Sequence, residues 1–238
     1  MRWARVGRSF TCGSWDAYTV RTERTVYARA VSNDAKLSRE RVVDAALRLI
    51  DSDGLGGLSM RRLAAELGVA PMSLYRHVES RDDVEDAVAR RLVASVRCEH
   101  GPDWRDAIRE WGRGYRAMAR RHPHALPLLA RRPGLGFEVR RGDVEGLFGL
   151  LADAGVPSDA AADPVRAAIG LISGFCLLES QRGPGIGSDA VERHREEGFP
   201  LTADLLAGSG REPDRLFEMV LGVIIDGLGA EVARHRRR

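Results

Sequence analysis

From Leu37 onward apolar residues recur at helical spacing: Val42, Val43, Ala46, Leu47 and Ile50 share one stripe while Arg39, Glu40, Asp44 and Arg48 face away, which predicts a helix over about 38–53. Ser38 offers an N-cap oxygen, and Asp53-Gly54 followed by Gly56-Gly57 ends the run, because glycine takes the left-handed conformation that closes helices. Ser59 then caps a short helix from Met60 to Leu67, with Leu63, Ala64 and Leu67 inward, Arg61 and Arg62 outward, and Gly68 as its stop. Pro71 suits the first turn of a third helix, about 71–77, in which Leu74 and Val78 lie one turn apart on the buried side. Ser80 and Asp83 have capping-box spacing ahead of Val84, Ala87, Val88, Leu92 and Val96, so a longer fourth helix begins at about 81.

Beyond His100-Gly101-Pro102 the pattern stays helical, with a tryptophan-bearing segment over 103–121 and breaks at Pro123 and Pro127. Further amphipathic helices fit 143–154, 164–181 and 214–234, and the Gly-, Pro- and charge-rich stretch 182–212 reads as a loop holding at most one short helix near 201–207. No segment alternates like a strand. The expected fold is therefore all-α, divided into an arm (1–35), a small three-helix domain with its following helix (36–97) and a larger helical domain (101–238).

Composition changes this picture little. A hydrophobic share of 44% with 30% charged residues suits a globular chain, and no apolar run approaches the roughly 20 residues of a bilayer span. Arginine supplies the basic charge almost alone, with Lys36 the one lysine; it fills every segment, so the usage reads first as coding bias and second as a capacity for phosphate and guanine recognition. Cys12, Cys98 and Cys176 lie far apart without CxxC spacing, which implies neither a disulfide framework nor a zinc site and fits a reducing, cytoplasmic setting. Residues 1–35 carry six arginines but no apolar core of signal-peptide length, and read as a flexible basic arm.

Two short helices joined by a tight turn, over 60–77, are built to lay one helix in a DNA major groove about 12 Å wide while the other braces it. The inserted helix would offer Met72, Ser73, Tyr75 and Arg76 outward, with His77 and Arg81 placed for flanking phosphates and Arg61 for a bidentate guanine contact. The bland alternative has Tyr75 and His77 packing against the first helix and Arg61 pairing with Glu66. Residues 37–88, LSRERVVDAALRLIDSDGLGGLSMRRLAAELGVAPMSLYRHVESRDDVEDAV, resemble the tetracycline repressor (TetR) family. The resemblance implies operator DNA as a partner, with Ser59 and Tyr75 at phosphates, Arg61 and Arg76 toward bases, Ser73 near bases, His77 and Arg81 at the backbone, and Arg62 beside them. Met72 and Arg76 depart from the tetracycline-responsive members, which leaves the operator sequence open.

A weaker likeness continues over 103–233 in DWRDAIREWGRGYRAMARRHP, GLISGFCLLESQR and LFEMVLGVIIDGLGAEV, and implies a ligand-binding, dimerising half. The helices 164–181 and 214–234 then serve as dimer helices, their apolar faces interrupted by Gly170, Gly174, Gly222, Gly227 and Gly229, which permit close backbone approach. By position in the resemblance, Trp111, Tyr115, Met118, Leu128, Phe137, Phe175 and Glu179 surround a cavity for a small-molecule effector, although such a set is as consistent with plain core. Glu179 matches a family position near bound metal, but Leu128 stands where a histidine is expected, so no metal and no cofactor is expected and the effector is unlike a magnesium-tetracycline chelate.

An enzyme is the competing class. No nucleophile elbow, HExxH or phosphate loop is present, and Asp51 and Asp53 lack the acidic twelfth position of a calcium loop, where Arg62 stands. His122 and His124 flank Pro123 without a third clustered ligand. A helical interaction module that neither reads DNA nor binds an effector is the second alternative.

Overall fold

The computed structural model describes residues 37–96, 101–132, 134–181, 187–208 and 212–237; the N-terminal arm expected over 1–35 lies outside them. The four predicted helices of the first domain are α1 (Arg39–Gly57), α2 (Met60–Leu67), α3 (Pro71–Leu74) and α4 (Arg81–Ser95). The serine caps form as read. Ser38 accepts from the Arg41 amide, Ser59 from the Arg62 amide at 3.2 Å and Ser80 from the Asp83 amide at 3.1 Å. Gly54, at φ 70°, breaks α1 near the expected end, and a further turn carries it to Gly57. Gly68, at φ 66°, ends α2 in the left-handed region, where a side chain would be strained. The third helix is shorter than expected: after Leu74 the amides of His77 and Val78 both bond the Leu74 carbonyl, so 75–77 forms a turn.

Val42, Ala46, Ile50, Leu63, Leu74, Val78, Val84 and Val88 are buried together and hold α1 to α4 against one another. Across the rim, Arg39 donates to the His77 carbonyl at 2.9 Å and to both carboxylate oxygens of Asp83, and this guanidinium holds the Asp83 carboxyl below its ordinary pKa.

The larger domain comprises α5 (Trp104–Arg121), a 3-10 turn (Pro123–Ala125), α6 (Leu126–Ala130), α7 (Leu135–Val139), α8 (Arg141–Asp153), α9 (Ser158–Ser180), α10 (Ser188–Glu196), α11 (Pro200–Ala207) and α12 (Pro213–Arg236). Two expectations are corrected. The stretch 182–212 holds two helices, not at most one: α10 and α11 pack on each other and bury only Val191 and Ala203, too thin an apolar face to show in the pattern. Helix α9 begins at Ser158 rather than 164, because Pro164 sits inside it and not at its start. Among the described residues there is no strand.

Helices α5, α9 and α12 form the core of this domain. They meet at Gly112 of α5, where an added Cβ would lie 2.7 Å from Leu221 Cδ2 and 3.3 Å from Ile172 Cδ1, so a side chain there would displace the Leu221 tip. The two domains are joined by named bonds. His122 Nδ1 lies 2.8 Å from Asp51 Oδ2, His124 Nδ1 lies 2.8 Å from the Asp51 carbonyl, Arg132 reaches Asp86, and Arg90 makes a bidentate pair with Glu138. The two histidines weighed above as a metal pair thus bind α1.

Candidate DNA-reading face and effector cavity

On the helix-turn-helix the predicted residues separate into two sets. Arg61 is exposed and enters no ion pair among the described residues, Met72 is 75% and Tyr75 47% exposed, and Arg76 is exposed with one guanidinium nitrogen 3.3 Å from Ser73 Oγ. All four are exposed, on α2, on α3 and in the turn that follows it. Ser73 is not. It is buried at 6% exposure beside Leu74.

The second set braces the fold. Arg62 donates to the Gly57 carbonyl at 3.1 Å and pairs with Asp53, which closes the turn between α1 and α2. Arg81 donates to Glu85 at 2.8 Å and to the Leu55 carbonyl at 3.1 Å, and His77 contributes its carbonyl to Arg39. Ser59 spends its oxygen on the cap.

A cavity of about 370 Å³, within the size range of small-molecule sites, is bounded by α5, α8, α9, residues 129–132 and 134–140, and Val93 and Val96 at the end of α4. Of the seven residues assigned to it by resemblance, Trp111, Tyr115 and Phe137 line it. Trp111 and Tyr115 lean together with ring centroids 5.4 Å apart, and burial raises the Tyr115 pKa, which keeps its phenol neutral.

The other four lie elsewhere. Met118 and Leu128 are buried in the core, and Phe175 packs on Phe217 at 5.3 Å. Glu179 receives a bidentate pair from Arg116 at 2.6 and 2.9 Å, and the same guanidinium bonds Asp214 at 2.8 Å and sits 4.6 Å from the Phe217 ring. Burial pushes the neighbouring Cys176 thiol up to about 12, so it stays protonated and unreactive. Sequence reasoning missed Ile108, Leu147, Val165, Ile169, Ile172 and Ser173 on the cavity wall. The spacing of Val165, Ile169 and Ile172 by four and three along α9 was a usable signal, but on that helix only Phe175 and Glu179 were placed at the cavity.

The outer sides of α9 and α12 carry exposed apolar residues, interrupted on α12 by the exposed Asp226. Ala167, Gly170, Leu171, Gly174 and Leu178 are spaced along one side of α9, and Met219, Val223, Gly227 and Ala230 along one side of α12. Leu171, Leu178, Met219 and Val223 are more than half exposed, and a Cβ added at Gly170, Gly174 or Gly227 would meet nothing within 4 Å. By length and composition α9 is also apolar enough to cross a membrane, which qualifies the sequence reading, but Asp163 and Arg166 are exposed on the same helix.

A helix-turn-helix head joined to an all-helical body with an internal cavity is the architecture of a ligand-responsive bacterial transcription regulator. The family model for bacterial regulatory proteins of the tetR family matches residues 42–88, and that for the tetracyclin repressor-like C-terminal domain matches 98–232; the chain belongs to the TetR family. Among its relatives, the HTH-type transcriptional repressor DrrR1 of Streptomyces coeruleorubidus is 32% identical, over 98% of this chain and 93% of that protein. The class A tetracycline repressor protein from transposon 1721 of Escherichia coli is 34% identical over 81% of this chain and 91% of its own length. The structure of ActR from Streptomyces coelicolor in complex with actinorhodin superposes with a TM-score of 0.69 at 30% identity, over 82% of this chain and 98% of that one.

Proposed function

We propose that the protein is a cytoplasmic homodimeric repressor, without cofactor or catalytic activity, that binds a near-palindromic operator and leaves it when a small molecule fills the cavity. The head corresponds to 36–97 and the body to 101–238. What carries the reading is one molecule holding both an outward Arg61–Met72–Tyr75–Arg76 face and an uncovered apolar stripe on α9 and α12. A second copy laid isologously on that stripe makes a four-helix interface and buries surface that is otherwise costly to expose. Two heads then reach successive major grooves about 34–36 Å apart.

In this dimer Arg61 and Arg76 read bases, Met72 contacts the groove floor, and Tyr75 and Ser59 meet phosphates. The bracing roles of Arg62, Arg81 and His77 leave each some N–H capacity for backbone oxygens, while Ser73 sets the rotamer of Arg76 from below. Gly170 belongs both to the cavity wall and to the stripe, so a ligand in the cavity presses on the interface that spaces the heads. That route needs a coupling of only about 1–3 kcal/mol. Actinorhodin bound to ActR supports a small molecule in the corresponding body.

The test pairs DNA binding with folding. Arg61→Ala is expected to lower the preference for the operator over random duplex by about 1–3 kcal/mol, with helix content and dimer mass unchanged. Loss of helical circular dichroism in that variant would make Arg61 structural instead.

A further inference from the structure

Every charged side chain on the cavity wall is already neutralised. Arg132 donates to Asp86 at 3.0 Å and toward the Asp82 carbonyl, and Arg140 pairs with Asp143 and donates to the Ala94 carbonyl at 3.1 Å. The remaining wall is apolar, contributed by Ile108, Leu147, Val165, Ile169, Ile172 and their neighbours. Two features break this uniformity. The Trp111–Tyr115 pair offers aromatic faces, and the hydroxyl-bearing Tyr115 and Ser173 border the cavity from α5 and α9.

We propose that the cavity selects an uncharged, flat, aromatic effector with a hydroxyl or carbonyl at one edge, the rings stacking on Trp111 and Tyr115 and the polar edge meeting Tyr115 and Ser173. The proposal rests on the cavity's being the effector site. A charged ligand would lose its hydration without gaining a counter-ion, since the guanidinium and carboxylate groups within reach are spent on each other. A neutral ring system loses little hydration and gains dispersion over the apolar wall and ring-ring attraction at one end. One hydroxyl finds both a donor and an acceptor in the Tyr115–Ser173 pair, so its burial is compensated.

The full-length protein, free of DNA, is titrated calorimetrically with three probes of the same ring size: 2-naphthol, naphthalene-2-sulfonate and (2-naphthyl)trimethylammonium. The expected result is saturable binding of 2-naphthol, at least about tenfold tighter than either ion. Ala168→Trp, which fills the cavity, abolishes it, and Tyr115→Phe weakens 2-naphthol about fivefold while leaving unsubstituted naphthalene unchanged. The second variant keeps the test intact if the first fails to fold.

Either ion binding as tightly as the naphthol, and lost in Ala168→Trp, overturns the effector class and leaves the cavity as the site. Naphthol binding that survives in a folded Ala168→Trp protein overturns the cavity reading itself. Absence of saturable binding up to about 1 mM overturns the proposal as well.

Discussion

Leu171→Asp combined with Val223→Asp is expected to yield a folded monomer that has lost at least about a thousandfold of its operator affinity. Both side chains are more than half exposed on the stripe of α9 and α12, so in the single subunit the change replaces apolar surface by solvated charge and costs the fold little. In a two-fold dimer each substitution occurs twice, adding four carboxylates to an interface that already holds Asp226 from each copy. The operator then meets one head at a time and retains mainly the non-specific phosphate attraction. Light scattering at micromolar concentration reads the mass and circular dichroism the helix content. A dimer that persists in the double variant would move the interface away from α9 and α12.

The second large effect lies at Arg116. Its side chain is 9% exposed, clamped by Glu179 and Asp214 and laid against Phe217. Arg116→Met keeps the volume but takes from the Glu179 carboxylate, 12% exposed, its bidentate partner, with Arg120 4.0 Å away. Breaking a buried pair from one side costs about 3–5 kcal/mol; Arg120, more than half exposed, softens this to the lower end, about 3 kcal/mol. For a body of this size the melting temperature falls by about 6–12 °C. Removing both charges, as Arg116→Met with Glu179→Leu, restores most of the loss because no largely buried carboxylate is left without its bidentate partner. Were Arg116→Met neutral in thermal melts, Glu179 would be free to serve the effector, as its position by resemblance implied.

The head was legible in sequence because its determinants are local. Ser38, Ser59 and Ser80 each bond the amide three residues on, and Gly68 closes α2 with the dihedral its place demanded. The arginine roles were not legible, since Arg61 and Arg62 are adjacent and equally basic, and only the fold brings Asp53 and the Gly57 carbonyl to one of them. Ser73 was read as outward because it is polar, but it lies on the buried side of α3 beside Leu74.

In the body, periodicity located α9 and α12 but could not divide their residues between inside and outside, because both sides of each helix are apolar. Phe175 and Glu179 were assigned to the cavity by position alone. A buried arginine on α5 draws both away, and nothing in a helical repeat distinguishes that arginine from the exposed ones around it. Helix α10 was hidden because Val191 is the one residue it buries.

The most direct test is a titration of the full chain, at two salt concentrations, against the duplex it enriches from random DNA, with unselected duplex as competitor. The account predicts an inverted repeat bound by two chains, at nanomolar strength and with a steep loss of affinity as salt rises. An enriched sequence without two-fold symmetry, or binding no tighter than to the unselected duplex, would contradict it.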